Sequence, residues 1–168
     1  MKREYFDLVF EAANARAKEL GATFDIYYSG EENISAETFK DELASFSAGM
    51  EGVFVVRATV NGKTGSAQST CVSPEEAVLL LDRAVENAAL IEKTEETHYC
   101  CGGLTYEKTE NPEFVLPSAA RVKEIAMSCR NAAYASSSEI SDGTAGGCFA
   151  GKSEIFLYSS KGLRLENR

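Results

Sequence analysis

A chain of 168 residues, 44% hydrophobic and 26% charged, is long enough to bury a core and has the make-up of an ordinary globular domain, not of a disordered or fibrous chain. Its formal charge of −9 argues against direct binding of nucleic acid, which needs a basic face to displace counterions from phosphates, and against adhesion to anionic lipid.

In chain order, Phe6, Val9, Phe10, Ala13, Ala17 and Leu20 recur at three- and four-residue spacing, which predicts a helix over 3–20. Gly21 follows as its left-handed stop. Short strands are then expected over 24–29, 33–40, 43–48, 53–60 and 63–71, separated by GEE, DE, GMEG and NG breaks. Separators this short leave no room for crossovers, so the expectation is an antiparallel meander. Tyr27 and Tyr28 point to opposite faces of the first strand, one toward the core and one outward.

Asn61-Gly62 supplies the two positive-φ residues of a type I′ hairpin and thereby fixes a register. Val60 faces Lys63, Ala58 faces Gly65, Val56 faces Ala67 and Phe54 faces Ser69; Thr59–Thr64, Arg57–Ser66 and Val55–Gln68 lie on the other side. The small column of Gly65 and Ala67 leaves room for a helix to lie close to the sheet. Ser73-Pro74-Glu75-Glu76 reads as a capping box between Ser73 and Glu76 with Pro74 at the first helical position. The helix it opens has Ala77, Val78, Leu81, Ala84, Val85 and Ala88 on one face and runs to about Ile91.

Periodicity is lost over 92–116, which reads as a long loop. A third helix is expected over 118–135, with Val122, Ile125, Ala126, Cys129 and Ala133 on one face. Beyond it, Ile155 and Leu157 alternate with Phe156 and Tyr158, and a further strand starts near Leu163. The fold class is therefore α+β, an antiparallel meander with helices on one face. Residues 1–91 form the helix, meander and capped helix, and 117–168 complete the same domain. The chain stops inside a strand pattern, which suggests a longer protein.

No run approaches the roughly 18 apolar residues of a membrane span, and the start lacks a signal peptide's apolar stretch, so a cytoplasmic location without membrane contact is expected. Five cysteines, Cys71, Cys100, Cys101, Cys129 and Cys148, form no C-x-x-C pair and read as reduced thiols. His98 is the only histidine, which removes every two-histidine zinc motif. A site built from His98, Cys100 and Cys101 is awkward, because adjacent cysteines aim poorly at one tetrahedral ion. Gly102-Gly103 and Gly146-Gly147 read as turn glycines, and Glu31, Glu32, Asp41 and Glu42 as solvated residues at strand ends. The chain thus offers no catalytic, metal or cofactor site of its own. Arg57 interrupts the apolar run VFVVRATV; it either faces solvent on the open side of the sheet or takes part in a buried ion pair or a substrate (peptide) contact.

Four stretches carry a resemblance to a known family: ELGATFDIYYS, FKDELASFSAGMEGVFVVRATVNGKTGSAQST, VSPEEAVLLLDRAVENAALI and FAGKSEIFLYSSKGLRLEN. Their order resembles the N-terminal domain of the TldD/PmbA family, known as modulators of DNA gyrase and as metallopeptidases; S-P-E-E-A and S-S-K-G-L stand closer to the PmbA branch. The resemblance implies a non-catalytic, peptide-guiding scaffold acting on unfolded or extended peptides beside a TldD-like or PmbA-like partner subunit. It implies zinc only for a later domain or that partner, whose H-E-x-x-x-H has no counterpart here. The alternatives are a free-standing protein-binding or oligomerisation module and a small enzyme using the His98–Cys100–Cys101 loop.

Overall fold

The structure is a computed structural model that describes residues 1–92, 94, 97–103, 106, 114–140 and 144–167, with backbone alone at 144 and 145. Its elements are α1 (Arg3–Leu20), β1 (Thr23–Phe39), β2 (Glu42–Val60), β3 (Lys63–Ser69), α2 (Pro74–Ala89), α3 (Ala119–Ser136), β4 (Thr144–Ser159) and β5 (Arg164–Asn167). The sheet order is β3-β2-β1-β4-β5, an antiparallel α+β arrangement. Much of the expected 92–116 loop lies outside the described residues.

Four of the five expected meander strands merge into two. The GEE and GMEG segments continue as extended strand within β1 and β2, because their glycines make room for a side chain rather than a turn. A Cβ on Gly30 would collide with the Tyr28 hydroxyl, and one on Gly52 would lie 3.1 Å from the same ring. Gly146 and Gly147 likewise sit inside β4, not in a turn.

The chain divides into two compact units, residues 1–30, 52–110 and 154–168 in the first and 31–51 and 111–153 in the second. On β1, β2 and β4 the buried residues are mainly even-numbered, and on β3 their partners on the same face are odd-numbered, Ala67 opposite Val56 and Gly65 opposite Ala58. The first unit's core gathers Phe6, Phe10, Phe24, Phe54, Phe156 and Tyr158, all at most 1% exposed. Phe6 lies at its centre, with ring centroids 4.8 Å from Phe156 and 5.0 Å from Tyr158. Each such side chain contributes about 1.5–3 kcal/mol on leaving water. Arg16 on α1 donates to Asp82 on α2 at 2.8 Å, and α2 lies over β3.

Three local features explain the first unit's turns and helix ends. Gly21 ends α1 in the left-handed region at φ 62. Asn61 and Gly62 have φ 52 and 73, the values a primed hairpin turn needs, and the β2–β3 register runs from Val60↔Lys63 to Phe54↔Ser69. Ser73 caps α2, its hydroxyl accepting from the Glu76 N–H at 3.1 Å with Pro74 next in line. The Ser73 hydroxyl also holds the neighbouring Glu75 carboxyl below its ordinary range, after the bond to that residue's own backbone.

The second unit packs α3 on Ile34, Ala36, Cys148 and Ala150 through Val122 and Ala126. The helix face differs from expectation, for Cys129 and Ala133 are exposed. Arg130 takes the place four residues after Ala126: its Nε donates to the Lys40 carbonyl at 2.6 Å and its guanidinium pairs with Asp41. That contact clamps the β1–β2 turn, where Lys40 sits at φ 53. Thr38, 2% exposed, closes the far side: its hydroxyl accepts from the Gly146 N–H at 2.8 Å and donates to the Gly146 carbonyl at 3.0 Å.

Candidate functional site

Two surfaces stand out, one in each unit. In the first unit one face of the sheet is polar, bearing odd-numbered residues of β1 and β2 and even-numbered residues of β3. Arg57 on β2 donates through Nε to Asp25 Oδ1 on β1 at 3.3 Å, and its Nη2 binds Oδ2. The arginine is raised above its ordinary pKa chiefly by this bond. Tyr99 lies over the guanidinium, 5.0 Å from ring centroid to Cζ. The Tyr99 hydroxyl meets Thr59 at 2.7 Å, Thr59 meets Thr64 at 2.6 Å, and Thr64 meets Thr97 at 2.6 Å. Burial pushes the Tyr99 phenol up, against the opposing pull of Thr59. Residues 97–103 therefore lie along this face, held at their end by Gly102 N–H donating to the Lys161 carbonyl at 3.0 Å and by the Cys101↔Gly162 bridge. Arg57 thus lies on the open side of the sheet with its side chain 43% exposed, paired with Asp25 but not buried.

In the second unit β2 outruns its neighbour. The β3 pairing ends at Phe54↔Ser69, and residues Glu42 through Glu51 are exposed along their whole length. Among the described residues no strand pairs with this stretch on the side away from β1. Leu43, Phe46 and Met50 are 40%, 39% and 75% exposed. Natural sheets usually shorten, twist or charge such an edge, so a long, partly apolar one is a ready template for another strand. Lys123 of α3 reaches over it, 4.4 Å from the Phe46 ring.

Asn61, Gly62, Gly65, Ser73, Pro74 and Glu76 are placed in the hairpin, beneath α2 and at its start. A Cβ on Gly65 would fall well inside contact distance of the Ala84 carbonyl oxygen and would reach Ala88 Cα at 3.0 Å. His98, Cys100 and Cys101 are exposed, and among the described residues no three His, Cys, Asp or Glu side chains gather into a metal-binding group. Asp25 and Tyr99 escaped the sequence reading. Asp25 carries a faint signal, a carboxylate at an odd position of TFDIYY that matches the odd position of Arg57; Tyr99 carries none, because its contact depends on the path of an irregular segment.

Residues 24–88 match the family described as PmbA/TldA metallopeptidase domain 1. No curated protein matches the sequence. Among solved structures, the chain is similar to a candidate modulator of a DNA gyrase from Thermotoga maritima, with TM-score 0.77, 15% identity, and coverage of 96% of this chain and 37% of that one. TldE from Thermococcus kodakarensis gives TM-score 0.78 at 15% identity over 95% of this chain and 36% of its own. A candidate modulator of DNA gyrase from Bacteroides thetaiotaomicron gives 0.69 at 17% identity over 99% and 39%. The chain thus spans less than two fifths of the length of each of these structures.

Proposed function

The chain carries an N-terminal domain of the TldD/PmbA family, and from that premise we propose that it is a non-catalytic, peptide-guiding scaffold in a cytoplasmic metallopeptidase system acting on unfolded or extended peptides. The observation that carries this reading is the exposed stretch of β2 from Glu42 to Glu51, an unpaired strand edge at which backbone groups can meet a chain of varied sequence. Zinc and the cleavage chemistry belong on this reading to a further domain or to a TldD-like or PmbA-like partner subunit. Any effect on DNA gyrase acts through peptide handling, since a domain of net charge −9 makes a poor contact for DNA.

The test is kinetic. A TldD-like subunit bearing H-E-x-x-x-H is assayed on an unfolded peptide with and without this chain. The proposal expects the chain to lower KM, with binding energy supplied away from the reacting bond. An unchanged KM, with no complex on sizing, overturns it.

A further inference from the structure

Resting on the peptide-guiding reading, we propose that the β2 edge between Glu42 and Glu51 takes up an extended peptide as an added strand, and that the preferred peptide has basic ends around an apolar or small-residue centre. Backbone direction supports the first half. In the β2–β3 hairpin, Val60 and Lys63 flank a two-residue turn and exchange the closing bonds, so even-numbered residues of β2 direct N–H and C=O toward the β3 side. Alternation along the strand gives the same direction to Ala44, Phe46, Ala48 and Met50, beyond the end of β3.

Charge supports the second half. Ser45 bonds Glu37 at 3.4 Å, and a Cβ on Gly49 would lie 4.0 Å from Asn33 Oδ1. Both contacts follow one antiparallel register, which sets Glu51 opposite Glu31 on the same face. Neither carboxylate has an ion-pair partner among the described residues, whereas nearby Glu32 is matched by Lys152 at 2.8 Å. Like charges across a strand pair repel, and a cation on an added strand relieves that repulsion. Glu42 extends the demand to the other end of the edge. Between them stand Leu43, Phe46 and Met50, while Lys123 over Phe46 disfavours a basic residue at the peptide's centre. A second copy of the chain is the poorer occupant: residues 42–51 carry Glu42 and Glu51 and no lysine or arginine, so pairing this edge with itself supplies no cation for either carboxylate.

The experiment measures fluorescence anisotropy of a labelled peptide of about ten residues, enough to span the edge, alternating Val and Thr between terminal lysines, against the 168-residue protein. The proposal expects saturable binding, weakened roughly tenfold by Ala48→Pro, which deletes one outward N–H at a place where an edge strand tolerates proline. N-methylation across the peptide's centre should abolish binding whatever becomes of the protein variant. Replacing the lysines with glutamates should weaken binding about threefold to tenfold at low salt, and Glu31→Gln with Glu51→Gln should remove most of that difference. If the peptide binds but N-methylation and Ala48→Pro leave affinity unchanged, the edge assignment falls while peptide handling stands. If no peptide binds at all, both fall. A homodimer that Ala48→Pro dissociates would show the edge filled by a second copy and overturn the proposal.

Discussion

Arg57 and Asp25 form a two-point ion pair between adjacent strands on the polar face of the sheet, with the Tyr99 ring laid over the guanidinium. Because the arginine side chain is 43% exposed, water screens the pair. Arg57→Ala should therefore cost only about 0.5–1 kcal/mol in denaturant unfolding. Arg57→Lys should recover part of the charge but not the fork geometry. A double-mutant cycle with Asp25→Asn measures the coupling; none at all would mean that the pair contributes nothing to stability.

At Gly65 and Gly146 a helix backbone rests directly on a strand. A methyl at either would intrude on α2 at Ala84 and Ala88, or on α3 at Ala126 and Arg130. Gly65→Ala and Gly146→Ala should each destabilise the protein by roughly 1–3 kcal/mol, the cost of overpacking against backbone that cannot yield. A melting temperature unchanged in both variants would contradict this packing.

The two glycines also show what the sequence could and could not tell. Gly65 was legible, because Asn61-Gly62 fixes the register and alternation then places a small residue under the next helix. Gly146 was not: it reads locally as half of a turn pair, and only α3 crossing over β4 explains it. The GEE and GMEG segments misled for a related reason, since local turn chemistry is overridden when Tyr28 needs the space over Gly30 and Gly52. The exposed β2 edge was invisible at the level of pattern. It follows from β2 being longer than β3, and no short-range signal sets that difference.

Ser73→Ala removes the hydroxyl that accepts from Glu76 N–H, and should cost about 1 kcal/mol, as lost helix caps generally do. The bond to its own backbone first, and the same Ser73 hydroxyl second, hold the Glu75 carboxyl below the usual carboxylate range. A depressed carboxyl contributes stability above its unfolded pKa and loses it as pH falls through the folded one. Glu75→Gln should therefore lower the melting temperature at pH 7 more than at pH 3, by a small margin because the group is exposed; an equal effect at both would contradict the assignment.

Tyr158 is 1% exposed, and among the described residues no group meets its hydroxyl in good hydrogen-bond geometry, although the Asp7 carboxylate lies close enough to act on it. Burial first, and the Asp7 carboxylate second, push its phenol up to about 12. A raised phenol stabilises the fold fully below its unfolded value near 10 and loses that contribution as pH climbs toward 12. Tyr158→Phe should leave stability at pH 7 unchanged or raise it by up to about 1 kcal/mol, because it removes a buried, unsatisfied group. It should also flatten the decline between pH 10 and 12. A large loss at pH 7 would show that the hydroxyl has a partner after all.

The central claim is that this chain holds peptides and leaves cleavage to another domain or subunit. The direct measurement incubates the 168-residue protein with the labelled peptide, with and without a zinc chelator, and follows anisotropy and chain length together. The account predicts saturable binding that the chelator leaves unchanged, with the peptide intact. Cleavage by this chain alone, lost on chelation or on His98→Ala, would contradict it.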